Sequence, residues 1–194
     1  MGYKLFPILV TLVVLGSGTQ AQTLKQWTWD TYKLKFQAPD DLELKRNEDS
    51  IFEAGNNNLY LDIYPRRGES LSYDDMKSQI VDWAYGLGLK YPAVNASGTA
   101  QPIYLSNLNG FWGCAIDGQS NNVPATVLLL VNPDDPSLRF YIWINYTQPY
   151  YQEAIAVLKS FTPIPLSGTN APVTQKKTTV KHTKKKSSSP TSIF

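Results

Sequence analysis

The stretch IYLSNLNGFWGCAIDGQSNNVPATVLLLVNPDDPSLRFYIWINY, residues 103–146, decides the fold. Four apolar or alternating runs (IYLSN, GFWGCAID, VPATVLLLV and SLRFYIWINY) are divided by LNG, GQSNN and NPDDP, all rich in turn formers. Strands joined by so few residues must lie antiparallel, because a parallel connection needs a crossover of a dozen residues or more. The segment therefore predicts a four-strand antiparallel meander. VPATVLLLV is apolar on both sides, so the central strands are expected to be covered on both faces.

Outward from the meander, TQPYYQEAIAVLKSF (147–161) has helical period, with Pro149 tolerated in its first turn. Its expected inward stripe is Tyr151, Ala154, Ile155, Leu158 and Phe161. Upstream, SLSYDDMKSQIVDWAYGLGL (70–89) predicts a second helix whose stripe is Tyr73, Met76, Ile80, Trp83 and Leu87. Ser72 and Asp75 resemble a capping box, and Gly86 and Gly88 supply the stop. Before that helix, SIFEAGNNNLYLDIYP (50–65) reads as a hairpin, with Gly55 and three asparagines supplying positive φ at the turn. YKLKFQAP (32–39) alternates as a strand whose Lys33 and Lys35 suit a sheet edge, and LELKR (42–46) reads as another strand or its continuation.

Several strands, a long helix, a meander and a closing helix predict an α+β fold, a largely antiparallel sheet packed with helices. This order, the opening Y-x-apolar-x-apolar-x-x-P strand and the closing AVLKSF resemble the PsbP-like group of α/β sandwich proteins over roughly residues 30–163. The resemblance implies the fold. The group includes photosynthetic extrinsic proteins and exported domains of unknown role, and the resemblance carries no functional residue onto this chain.

The flanks differ from the middle. MGYKLFPILVTLVVLGSGTQA (1–21) has a charged start, an apolar run too short to span a bilayer and a small-residue close. It reads as a secretory signal cut after Ala21, leaving an exported, soluble protein, periplasmic or extracellular, with no transmembrane segment. Residues 22–165 form the expected single domain and carry eleven basic against sixteen acidic residues, a net −5. Residues 166–194 form the expected disordered tail, holding six lysines (Lys176, Lys177, Lys181, Lys184, Lys185 and Lys186) and no acid. Those lysines suit nonspecific contact with an envelope polyanion or an acidic partner. The tail has no aromatic among them on which bases could stack, which argues against specific nucleic-acid recognition.

The only histidine, His182, lies in that tail, and Cys114 is the only cysteine. The body therefore has no Ser-His-Asp or Cys-His arrangement, no histidine-based metal centre and no disulfide. No nucleotide-cradling glycine motif occurs, and no cofactor is called for. NPDDP (132–136) reads as a hairpin turn rather than a calcium loop.

What remains is aromatic. In LYLDIYP, Tyr60, Asp62 and Tyr64 oppose Leu59, Leu61 and Ile63. In LRFYIWINY, Arg139, Tyr141, Trp143 and Asn145 oppose Leu138, Phe140, Ile142 and Ile144. If the two polar faces coincide and lie open, Tyr60, Asp62, Tyr64, Tyr141 and Trp143 form a surface for a glycan or extended peptide. If a helix covers them, they are packing. Glu53 and Asp62, on neighbouring strands, are the carboxylate pair a glycan hydrolase would need. The leading expectation is a non-enzymatic envelope binding or scaffolding domain; the alternative is that hydrolase.

Overall fold

In the computed structural model, residues 23–165, apart from 93 and 95, are described. Ala21, the apolar run before it and the lysines from Lys176 to Lys186 lie outside them. The strands are β1 (Leu24–Trp29), β2 (Leu34–Pro39), β3 (Glu43–Glu48), β4 (Ile51–Gly55), β5 (Leu59–Arg67), β6 (Ile103–Leu108), β7 (Phe111–Ser120), β8 (Val123–Asn132), β9 (Asp135–Tyr146) and β10 (Thr162–Pro163). The helices are α1 (Met76–Gly86) and α2 (Tyr151–Ser160).

Seven strands form one sheet in the order β3-β4-β5-β9-β8-β7-β6, and all its pairings are antiparallel. The meander β6–β9 is as expected. Its tight turns use residues that tolerate left-handed backbone: Asn109–Gly110 at φ 51° and 101°, and Asn121–Asn122 at φ 51° and 64°. A smaller sheet, β1-β2-β10, joins α2 on one face of the large sheet, while α1 covers part of the other. The fold is thus α+β in three layers, and β8 is buried from Ala125 to Val131.

The inner core fills the space under the small sheet and α2. Phe36 packs edge-on against Phe52 and stacked against Phe161, with ring centroids 5.2 and 5.1 Å apart. Leu61, Ile63, Phe140, Ile142 and Ile144 rise from the large sheet to meet them. Beneath α1 lies a second cluster that includes Met76, Ile80, Ala84, Cys114, Val127 and Leu129. Burial pushes the Cys114 thiol up to about 11, so it stays protonated and packs as a small apolar side chain.

Several local expectations are corrected. β2 is the middle of its sheet, not an edge, because β1 and the distant β10 flank it. The β4–β5 turn uses no positive φ: Asn56 Oδ1 instead accepts from the N–H groups of Asn58 and Leu59, both at 2.8 Å. Gly55 is needed for space, since a Cβ there would stand 2.7 Å from the Tyr60 ring. Ser72 accepts from the Asp75 N–H at 3.3 Å, but within a turn that precedes α1 rather than as its cap. α1 buries Met76, Ile80 and Ala84, and Leu87 is exposed. α1 ends in a Schellman motif, with Gly88 at φ 86° and bonds from Leu89 N–H to Ala84 O and Gly88 N–H to Tyr85 O. In α2 the inward face holds Val157, and Tyr151 is exposed. Helical stripes drift by a position when the helix rolls on its sheet.

Candidate functional site

The site is a strip on the outer face of β3, β4, β5 and β9. β5 and β9 pair along the full length of β5, opposing Tyr60 to Asn145, Asp62 to Trp143, Tyr64 to Tyr141 and Arg66 to Arg139. The period of two then puts all eight side chains on one face. The two polar faces inferred from the sequence therefore coincide. β4 extends the strip, because Glu53 lies opposite Asp62, and β3 adds Arg46 opposite Glu53. A register shift between Leu44 and Arg46 breaks the alternation of β3. It lets consecutive residues act together: the Lys45 ammonium lies 4.6 Å from the Tyr60 ring centroid, while Arg46 Nε donates to Glu53 Oε2 at 2.6 Å.

Helix α1 covers one side of this strip. Trp83 stacks on Tyr141 with centroids 4.6 Å apart and meets Tyr64 edge-on at 5.3 Å. The Tyr141 hydroxyl donates to Gln79 Oε1 at 3.0 Å, and the Trp143 indole donates to Asn145. Tyr141 and Trp143 are each only 5% exposed. Of the five residues expected to face a ligand, these two are therefore buried, Tyr141 against Trp83 and Gln79 of the helix. Tyr60 and Tyr64 are half-buried, and Asp62 lies between them at 8% exposure.

The two carboxylates sit in opposite electrostatic settings. Burial pushes Asp62 up to about 6, the Tyr64 hydroxyl bond at 3.1 Å pulls it back, and the Glu53 charge raises it further. Asp62 Oδ1 is shut off from solvent without a hydrogen-bond partner. Glu53 is held below the usual carboxylate range by the Tyr60 hydroxyl and then by Arg46. Burial in turn raises the phenol of Tyr60, and that of Tyr64 to about 12, so both remain donors at neutral pH. At the Tyr60 end the strip opens into a cavity of about 130 Å³ lined in part by Asn56, Asn57, Asn58, Asn145 and Thr147. Among the described residues no group of three or more histidine, cysteine or acidic side chains is placed to hold a metal ion.

Sequence reading did not bring Lys45, Arg46 or Trp83 to this surface. Continuing the alternation 60-62-64 by one step would have found Arg66. The bulge in β3 and the roll of α1 leave no such periodic signal.

No protein-family model and no curated protein matches the sequence. Solved structures do. Mog1p, a Ran-binding protein of Saccharomyces cerevisiae, is 10% identical, with 74% of this chain and 97% of that chain covered at a TM-score of 0.51. Cyanobacterial PsbP from Synechocystis is 10% identical over 77% of this chain and 98% of its own, with a TM-score of 0.49. LpqN of Mycobacterium tuberculosis, described as involved in cell envelope biogenesis, is 14% identical over 75% and 92%, with a TM-score of 0.40. At such identities the likeness is one of fold alone, an α+β fold like that of Mog1p.

Proposed function

We propose that this chain is an exported, non-catalytic domain of the cell envelope that binds a glycan along the outer-face strip. One observation carries the reading. The half-open Tyr60 lines a cavity rich in amide side chains, and Tyr64 follows it along a face that α1 covers only in part. Tyrosine rings supply flat apolar contact for a sugar, and asparagine amides supply paired donors and acceptors for its hydroxyls. The leader ending at Ala21 would deliver the domain to the envelope. The lysines from Lys176 to Lys186 would add salt-sensitive affinity for polyanions there. A fold of this kind also serves protein recognition in Mog1p, so a protein ligand on the strip is an outcome of the test below.

The test is titration of the full chain with envelope oligosaccharides, followed by tryptophan fluorescence and calorimetry. Replacing Tyr60→Ala should weaken binding about tenfold or more, the value of one lost stacking and hydrogen-bonding side chain. Tyr91→Ala, at a residue 75% exposed in the loop after α1, should change it little. Saturable binding that Tyr60→Ala leaves intact would overturn the reading. Binding of an extended peptide but of no sugar would replace the ligand class.

A second reading rests on the carboxylates. Asp62 and Glu53 oppose each other with their acidities pushed apart, as the acid and nucleophile of a glycosidase are. The binding reading is preferred because Asp62, the acid of such a pair, is enclosed beside Tyr64 and Trp143 and would have to emerge to reach a leaving group.

A further inference from the structure

At the far end of the strip, away from the amide-lined cavity, Arg66 and Arg139 face each other across β5 and β9. Directly opposed side chains stand about 5 Å apart at Cβ, and like charges so placed repel. A carboxylate between them would relieve this, yet neither arginine has an ion pair among the described residues; those present are Arg46–Glu53 and Arg67–Asp135. Arg66 Nη1 donates to the carbonyls of Pro65 at 2.9 Å and Ser50 at 3.3 Å, and its guanidinium lies 5.6 Å from the Tyr64 ring. Arg139 Nε is closed off from solvent with no acceptor. The chain also makes room here, since a Cβ on Gly68 would stand 2.8 Å from Arg139 Nη2. Arg67, one residue along, shows the contrast: it turns to the other side of the strand and is satisfied by Asp135 at 3.0 Å.

The geometry points to an oxyanion site at Arg66 and Arg139 that receives a carboxylate or phosphate group of the ligand lying on the strip. Arg66 leans toward Ser50 and Tyr64 and Arg139 toward Gly68; swung together, the exposed donors of the two guanidinium forks would match the paired oxygens of such a group, which would also cancel the repulsion between them. The distance from Tyr60 to Arg66 is six residues of strand, about 20 Å, so one ligand touching both ends is an oligomer. The ligand class becomes an acidic glycan, bearing uronate or phosphate. This inference rests on the outer-face reading above and adds the charge of the ligand to it.

The experiment compares an oligogalacturonate, its methyl ester and inorganic phosphate, each titrated into the full chain and into R66Q/R139Q and R67Q. The acidic oligomer should bind at least about tenfold tighter than the ester at physiological salt, and R66Q/R139Q should erase that advantage. R67Q, whose partner is Asp135, should keep it. Retention of the advantage in the double variant would assign it to the lysine-rich tail and overturn the site. Saturation by inorganic phosphate alone, lost in R66Q/R139Q, would support the site with phosphate as its anion. Equal binding of acid and ester that Tyr60→Ala still weakens would sink the arginine site and leave the outer-face reading standing. Absence of any saturable binding would remove both.

Discussion

The two faces of the β5–β9 ribbon share one backbone and one hydrogen-bond ladder, yet they do different work. Inward, Leu59, Leu61, Ile63, Phe140, Ile142 and Ile144 are all at most 1% exposed and meet the small sheet and α2. Outward, the same strands carry Tyr60, Asp62, Tyr64, Arg66, Arg139 and Asn145, with opposed arginines and an acid without a partner for one oxygen. The inner face of the ribbon is wholly apolar and buried. The outer face breaks two rules of stable packing: it buries a carboxylate incompletely bonded, and it opposes like charges. Departures from local consistency concentrate where a fold is put to use. The difference between the faces supports the proposal that the outer strip is the ligand-binding surface.

The comparison would break most visibly in stability. Ile142→Ala removes a side chain with no exposure from the centre of the inner face and should cost about 3–4 kcal/mol by denaturant unfolding. A loss under about 1 kcal/mol would mean that the inner core collapses around the gap, and that the two faces are less distinct than their packing implies.

Asp62→Asn tests the opposite side and should act with the opposite sign. The folded-state acidity of Asp62 is raised to about 6 from an ordinary 3.8, so ionisation is disfavoured by folding. Below about pH 4 the group is protonated in both states and costs nothing. As pH rises through 6 the native protein must hold a buried charge, and stability falls by about 2–3 kcal/mol. Asp62→Asn should remove that fall and leave the variant equal to or more stable than the parent at pH 7. A pH profile of unfolding that keeps the same slope in the variant would place its origin elsewhere.

Much of this contrast was legible in the chain before any coordinates. The alternation in LYLDIYP and LRFYIWINY separates the faces, and the turn-rich spacers order the meander. The coincidence of the two polar faces was not legible, because β5 and β9 are separated by some seventy residues and a period of two carries no register. Nor was β1, where Lys25 shares the side of Trp27 and Trp29 and blurs the alternation in LKQWTW. Whether a helix closed the strip depended on the roll of α1, which sets Trp83 over Tyr141. Such choices are made by packing volume, to which sequence period is blind.

The smallest expected effect belongs to Glu53, the neighbour whose acidity moves the other way. The Tyr60 hydroxyl and Arg46 stabilise its charged form, so it supports the fold above its unfolded acidity and loses that support as pH falls. Its side chain keeps 15% exposure and that of Arg46 49%, and screening holds the benefit of such pairs low. Glu53→Gln should therefore shift the melting temperature by no more than a few degrees at pH 7 and flatten the acid limb of the stability profile. Its larger value is in deciding between the two functional readings. In a binding domain the change alters glycan affinity modestly, through Tyr60, which loses the carboxylate that orients its hydroxyl. In a hydrolase it removes the nucleophile and should abolish turnover of a glycan while the folded protein still binds it. Hydrolysis by the parent that vanishes in Glu53→Gln would move the buried Asp62 from a strained packing residue to a general acid, and the strip from a surface that holds its ligand to one that cleaves it.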